Sequence, residues 1–131
     1  MSALSDVLDA CAKEYRAALI GYLPVGYPDV DASIEAMKAM VAGGVDIVEV
    51  GVPYSDPGMD GPTIQRAVDP AVRAGVGMHD VLRAVEAVSA VAPAVVMTYW
   101  NPVERYGVER FATDLGSAGG VGAITPDLIP D

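Results

Sequence analysis

Four short apolar runs, each cut off by proline or glycine, alternate along the chain with stretches of helical periodicity. They are 18–23 (ALIGYL), 45–52 (VDIVEVGV), 94–100 (AVVMTYW) and 121–125 (VGAIT). Runs of this length, rich in β-branched residues and bounded by turn formers, read as strands, the first stopped by Pro24 and the third by Asn101-Pro102. Before and between them the apolar positions repeat at helical spacing. Leu4, Val7, Leu8, Cys11, Ala12 and Tyr15 predict a helix over 2–16, started by Ser2 or Ser5. Ile34, Met37, Met40 and Val41 predict a second, with Asp29 and Asp31 as candidate caps and Gly43-Gly44 as its close. Pro62 can open a third, which Pro70 is expected to break or kink after two turns. Met78, Val81, Leu82, Val85 and Val88 mark a fourth that ends near Pro93, and a shorter helix surrounds Phe111 and Leu115.

Strands alternating with helices imply a parallel sheet joined by right-handed crossovers. Two architectures satisfy that order. One is an open doubly wound sheet of flavodoxin type, which 131 residues nearly complete. The other is the first half of a (β/α)8 barrel, whose usual length is about 250 residues. Both put working residues at the carboxyl ends of the strands. Glu49 with the loop 53–62, Tyr99 to Asn101, and Pro126-Asp127 all gather there.

Composition narrows the partners. A hydrophobic content of 52 % argues for a packed core and against disorder. The formal net charge of −10, with no cluster of Lys or Arg, excludes the electrostatic footprint of a nucleic-acid binder and disfavours anionic membranes. No apolar run is long enough to cross a bilayer. Cys11 is the sole cysteine, so no internal disulfide can form. With no basic, long-cored leader at the start, the expected setting is cytoplasmic.

The chemistry centres on two carboxylates. Within the second strand Glu49 shares a face with Val45, Ile47 and Gly51, opposite Val48 and Val50. An acid among β-branched neighbours is neutral, hydrogen-bonded or at a cleft, because an unpaired buried charge is costly. In an apolar pocket its pKa rises and it becomes a general acid or base near neutrality. The plainer alternative is a solvated or salt-bridged end-of-strand glutamate. Asp60, eleven positions on, precedes Gly61-Pro62 and is equally readable as a helix N-cap. Asp56, before Pro57, is by default a turn former.

The stretch EVGVPYSDPGMDGPTIQ (49–65) closely resembles the signature of the tryptophan synthase alpha chain family, E-[LV]-G-[VI]-P-[FY]-S-D-P-x-x-D-G-P-x-I-Q. GYLPVGYPD (21–29), VVMTYWNPV (95–103) and ITPDLIPD (124–131) resemble the family's first, third and fourth strand-and-loop segments in the same order. The resemblance implies that 1–131 is a single partial domain, the N-terminal half of a (β/α)8 TIM barrel. It implies a lyase of tryptophan biosynthesis that cleaves indole-3-glycerol phosphate to indole and glyceraldehyde 3-phosphate by a retro-aldol reaction. Under it Glu49 is the acid–base residue at indole C3 and Asp60 binds the indole N–H.

Tyr22, Met97, Tyr99 and Ile124 match positions lining the indole pocket, although core packing is the commoner fate of such side chains. Tyr99 also matches a tyrosine that helps orient the catalytic acid. Asp56 and its loop match the part that meets the beta chain, with which the full-length family forms an α2β2 assembly. No cofactor is implied for this chain, since PLP belongs to the beta chain. Gly58-Met59 and Pro70 depart from the usual pattern, and the family's chains are about twice as long. The phosphate-binding loops follow the later strands, so these residues alone are expected to be inactive or extremely weak. Two open sheet edges also imply self-association. A non-catalytic barrel fragment or a flavodoxin-like binding module remains the alternative.

Overall fold

The computed structural model describes residues 3–130. Helix α1 (Ala3–Lys13) leads into β1 (Ile20–Pro24), α2 (Val30–Ala42) and β2 (Ile47–Gly51). Two helices, α3 (Pro62–Arg73) and α4 (Met78–Ser89), precede β3 (Ala94–Met97). Two more, α5 (Trp100–Tyr106) and α6 (Val108–Ser117), precede β4 (Gly122–Ile124). The four strands are all parallel and stand in the order β1-β2-β3-β4. A flavodoxin-type sheet reverses direction after its first strand, with order 2-1-3. The steady progression here instead gives the first four strands of a (β/α)8 barrel.

The helices cover one face. Helix α2 packs on β1 and β2, α4 on β2 and β3, and α6 on α4. Val48, Val50 and Val96 project from the sheet into that layer and meet Val81, Val85 and Val88 of α4, all fully buried. Each such valine contributes about 1.5–3 kcal/mol relative to exposure. The other face would be the barrel interior. Its residues fall in two tiers, Tyr22–Glu49–Val95–Gly122 and, one step toward the carboxyl ends, Pro24–Gly51–Met97–Ile124.

Below the sheet, α1 is tied to the foot of β2. The Arg16 guanidinium forks onto Asp46 at 2.8 and 2.9 Å, and the Leu19 N–H donates to the same carboxylate at 2.8 Å. These bonds hold the Asp46 carboxyl down at about 2. Buried Cys11 lies at the same junction.

Several boundaries differ from the sequence expectation. Helix α1 stops at Lys13 rather than 16: Tyr15 takes the left-handed conformation (φ 57°), and the Arg16 N–H returns to the Cys11 carbonyl at 3.1 Å, a Schellman close. Ser5 lies inside this helix, and Ser2 lies outside the described residues. Pro24 does not follow the strand but is the last residue of β1, tolerable on an edge strand. At α2 the cap is Asp29, which accepts the Ala32 N–H at 2.8 Å, while Asp31 pairs with Arg83 of α4. Helix α3 runs through Pro70 to Arg73, because that proline falls in the last turn and both it and Arg66 are exposed, leaving the freed carbonyl to water. The third strand is four residues, not seven, since Trp100 already begins α5. Pro102 sits in the first turn of α5, where no N–H bond is lost.

Candidate active site

Tyr22 and Glu49 stand at the middle of β1 and β2, and the other candidate residues at strand carboxyl ends or in the loops that leave them. Glu49 projects from β2 onto the inner face, between Tyr22 of β1 and Val95 of β3. It is half-buried and makes no hydrogen bond among the described residues. Burial pushes its carboxyl above the ordinary range. Such burial favours the neutral form of a carboxyl.

Asp60 comes from the loop between β2 and α3. It is not the helix cap: Gly61 occupies that position without a side-chain bond, and Gln65 Nε2 donates to the Asp60 carbonyl at 2.8 Å. The Asp60 carboxylate is instead held by Tyr99, whose hydroxyl donates to Oδ1 at 3.2 Å and accepts the Met59 N–H at 3.0 Å. The Tyr99 ring is almost fully buried and tilts 35° against Tyr54, centroids 5.7 Å apart. The loop that carries Asp60 is thereby pinned across 39 residues of sequence.

Tyr22 joins the two acids. Its phenol is pushed well above the usual range by burial, then by the nearby Asp60 and Glu49 carboxylates, then by Tyr99. Tyr22 thus lies within electrostatic reach of both carboxylates. Met97 and Ile124 are partners in the upper tier, Met97 buried and Ile124 exposed at the sheet edge. Asp127, beyond β4, accepts the Trp100 N–H at 2.9 and 3.2 Å and so fastens the β4 loop to the start of α5. Asp56 makes no hydrogen bond to any of these side chains among the described residues. It is exposed, accepting from Ser55 Oγ at 3.3 Å, and its carbonyl takes the Gly58 N–H of the turn.

Three participants go beyond the sequence expectation. The Met59 amide and Tyr54 carry no local signal, since a main-chain donor and an aromatic packed on a distant ring leave no pattern in the chain. Gly51 does carry one: glycine inside a strand marks close approach of another group. A Cβ built there would lie 2.8 Å from Tyr22 Cε2 and Cζ and closer still to the hydroxyl. Among the described residues no group of three or more His, Cys, Asp or Glu could hold a metal ion, and no helix is long and apolar enough to cross a membrane.

The all-parallel strand order defines a segment of a (β/α)8 barrel, with the Glu49 carboxyl on β2 and the Asp60 carboxylate in the loop that follows it. The sequence profile of the family described as "Tryptophan synthase alpha chain" matches residues 8–131. This chain belongs to that family. It is 67 % identical over 131 residues to the tryptophan synthase alpha chain of Mycobacterium tuberculosis (strain H37Rv), with 99 % of this chain and 48 % of the relative covered. The aminoacrylate-bound form of M. tuberculosis tryptophan synthase superposes with a TM-score of 0.97 at 66 % identity, covering 100 % of this chain and 54 % of that one. The alpha subunit of Legionella pneumophila str. Paris superposes at 0.93 with 33 % identity, covering 98 % and 50 %. The chain thus spans about half the length of the relatives it matches.

Proposed function

We propose that these residues supply the acid–base half of a lyase that cleaves indole-3-glycerol phosphate to indole and glyceraldehyde 3-phosphate. The observation that supports the reading is a contrast between two carboxyls: Glu49 is half-buried and without a hydrogen bond among the described residues, while Asp60 is held by Tyr99. Indole is a poor carbanion leaving group, so C3 must gain a proton before the side chain departs. Glu49 in its acid form donates that proton. The positive charge that develops at the ring N–H is met by the Asp60 carboxylate. Glu49, now ionised, takes the proton of the adjacent glycerol hydroxyl as the carbon–carbon bond breaks. The bonding electrons restore the aromatic ring, and the aldehyde leaves.

The chain's own groups suffice for these proton transfers, so no cofactor is assigned to it; PLP would belong to a beta-chain partner. The exposed loop carrying Asp56 is the surface assigned to that partner, in an α2β2 assembly in the cytoplasm. The phosphate grip is assigned to strands beyond the fourth, and residues 1–131 alone are expected to release little or no indole. The unpaired edges of β1 and β4, with Ile20 53 % and Ile124 43 % exposed, support pairing with a complementary half barrel, a second copy included. Sedimentation showing only monomer would count against that pairing.

The test of the reaction is indole release by a chain completed to eight strands with the second half of the mycobacterial relative. Glu49→Gln and Asp60→Asn should each lower kcat by about a hundredfold or more, the usual scale for general acid–base groups. Full activity in Glu49→Gln would overturn the assignment.

A further inference from the structure

The Glu49 carboxylate and the Tyr22 hydroxyl are each without a hydrogen bond among the described residues. They are direct partners in the β1–β2 register and share the inner face. One is an O–H donor, the other an acceptor once ionised. Leaving either half-buried and unpaired is costly, so each lacks what the other offers. The second tyrosine is already committed, since the Tyr99 hydroxyl is spent on Asp60 and the Met59 amide.

The Tyr22 ring has a defined seat. It lies over Gly51, where any Cβ would collide with Cε2, Cζ and the hydroxyl. Gly51 is not among the glycines in the left-handed region, so what it provides is room rather than backbone freedom. The ring therefore runs past Glu49 toward the carboxyl end of β2, leaving the hydroxyl near both acids.

We infer that Tyr22 is the positioning residue of Glu49: its O–H donates to the ionised carboxylate, and Gly51 seats the ring that carries it. Each acid then has its own tyrosine, Tyr99 for Asp60 and Tyr22 for Glu49. The inference rests on the lyase reading for its catalytic meaning. Tyr22 is the titratable group beside Glu49 in the register, and Asp60 from the loop before α3 and Tyr99 from the turn after β3 act on that same Tyr22. Val95 and Gly122 complete its tier without charge. Burial disfavours the ionised glutamate and Tyr99 is occupied by Asp60, which leaves Tyr22, its register neighbour, as the donor that offsets burial.

The experiment labels the glutamate side-chain carboxyl carbons with 13C and follows their titration by NMR in the 131-residue chain, Glu49 being assigned with Glu49→Gln. Tyr22→Phe keeps the ring and removes only the hydroxyl. The expected result is a rise in the Glu49 midpoint of about half to one pH unit. An unmoved Glu49 midpoint in a natively folded Tyr22→Phe overturns the pairing. The titration uses no substrate, so its outcome is independent of whether the completed barrel releases indole.

Discussion

The Tyr99 hydroxyl bridges the loop to the sheet, accepting the Met59 N–H at 3.0 Å and donating to Asp60 at 3.2 Å. One phenol thus fixes both the path of the loop and the orientation of its carboxylate. Tyr99→Phe should cost about 1 kcal/mol of stability, the net worth of a typical hydrogen bond. The larger effect should be local: faster amide exchange at Met59, measured by hydrogen–deuterium exchange, with the α2–α4 core unchanged. Protection at Met59 equal to that of the unaltered chain would show that the loop is held by other contacts.

Gly51 is predicted to tolerate no side chain while Tyr22 is present. Gly51→Ala forces the ring aside and should destabilise the fold by about 1–3 kcal/mol, the usual range for overpacking. Tyr22→Phe should not rescue it, because Cε2 and Cζ already stand at 2.8 Å. Tyr22→Val should. Urea midpoints of the three single variants and the two double variants form the cycles, and strict additivity would remove the claim of contact.

Two carboxyls give opposite pH signatures. Asp46 is held at about 2 against an ordinary 3.8, so its pairing with Arg16 stabilises the fold fully above the ordinary value and is lost as pH falls toward 2. Glu49 is raised, so the folded state binds its proton more tightly than the unfolded state does. Stability linked to Glu49 is therefore greatest below about 4.5, its ordinary value, and declines as pH rises through the folded value. Asp46→Asn should flatten the acid side of the stability–pH curve, and Glu49→Gln should raise stability at neutral pH. Thermal melts from strongly acidic to neutral pH check both; a Glu49→Gln chain less stable at neutrality contradicts the assigned environment.

Tyr15 closes α1 in a conformation suited to glycine, with its side chain 98 % exposed. A non-glycine residue there carries a strain of about 1–2 kcal/mol, partly offset by the greater freedom of glycine when unfolded. Tyr15→Gly is accordingly expected to be neutral or to stabilise by up to about 1 kcal/mol. Equilibrium unfolding in urea measures it, and a clear loss of stability would mean that the tyrosine ring makes a contact in solution.

The order of strands and helices is legible in the sequence because each follows from local period and punctuation. Three of the departures sit at prolines. Pro24, Pro70 and Pro102 read as stops, yet each occupies a place where a missing N–H costs little: an edge strand, an exposed last turn, a first turn. Sequence alone does not choose between the two sheet types, since that depends on which strands become neighbours. Glu49 and Asp60 are visible in the motif, and the alternative of Asp60 as a cap falls because Gly61 takes that position. The resemblance gives Tyr99 the orienting of an acid, but nothing local marks its bond to Asp60, a pairing 39 residues apart.

The strand order carries a kinetic meaning as well. Every strand pairs with the next one in the chain, and the helix-side core closes between successive units. Loop-closure entropy for such neighbours is modest, so assembly can spread from the amino end as synthesis proceeds. The scaffold beneath Glu49 and Asp60 is thus built from successive neighbours, each new strand docking onto the one made just before it.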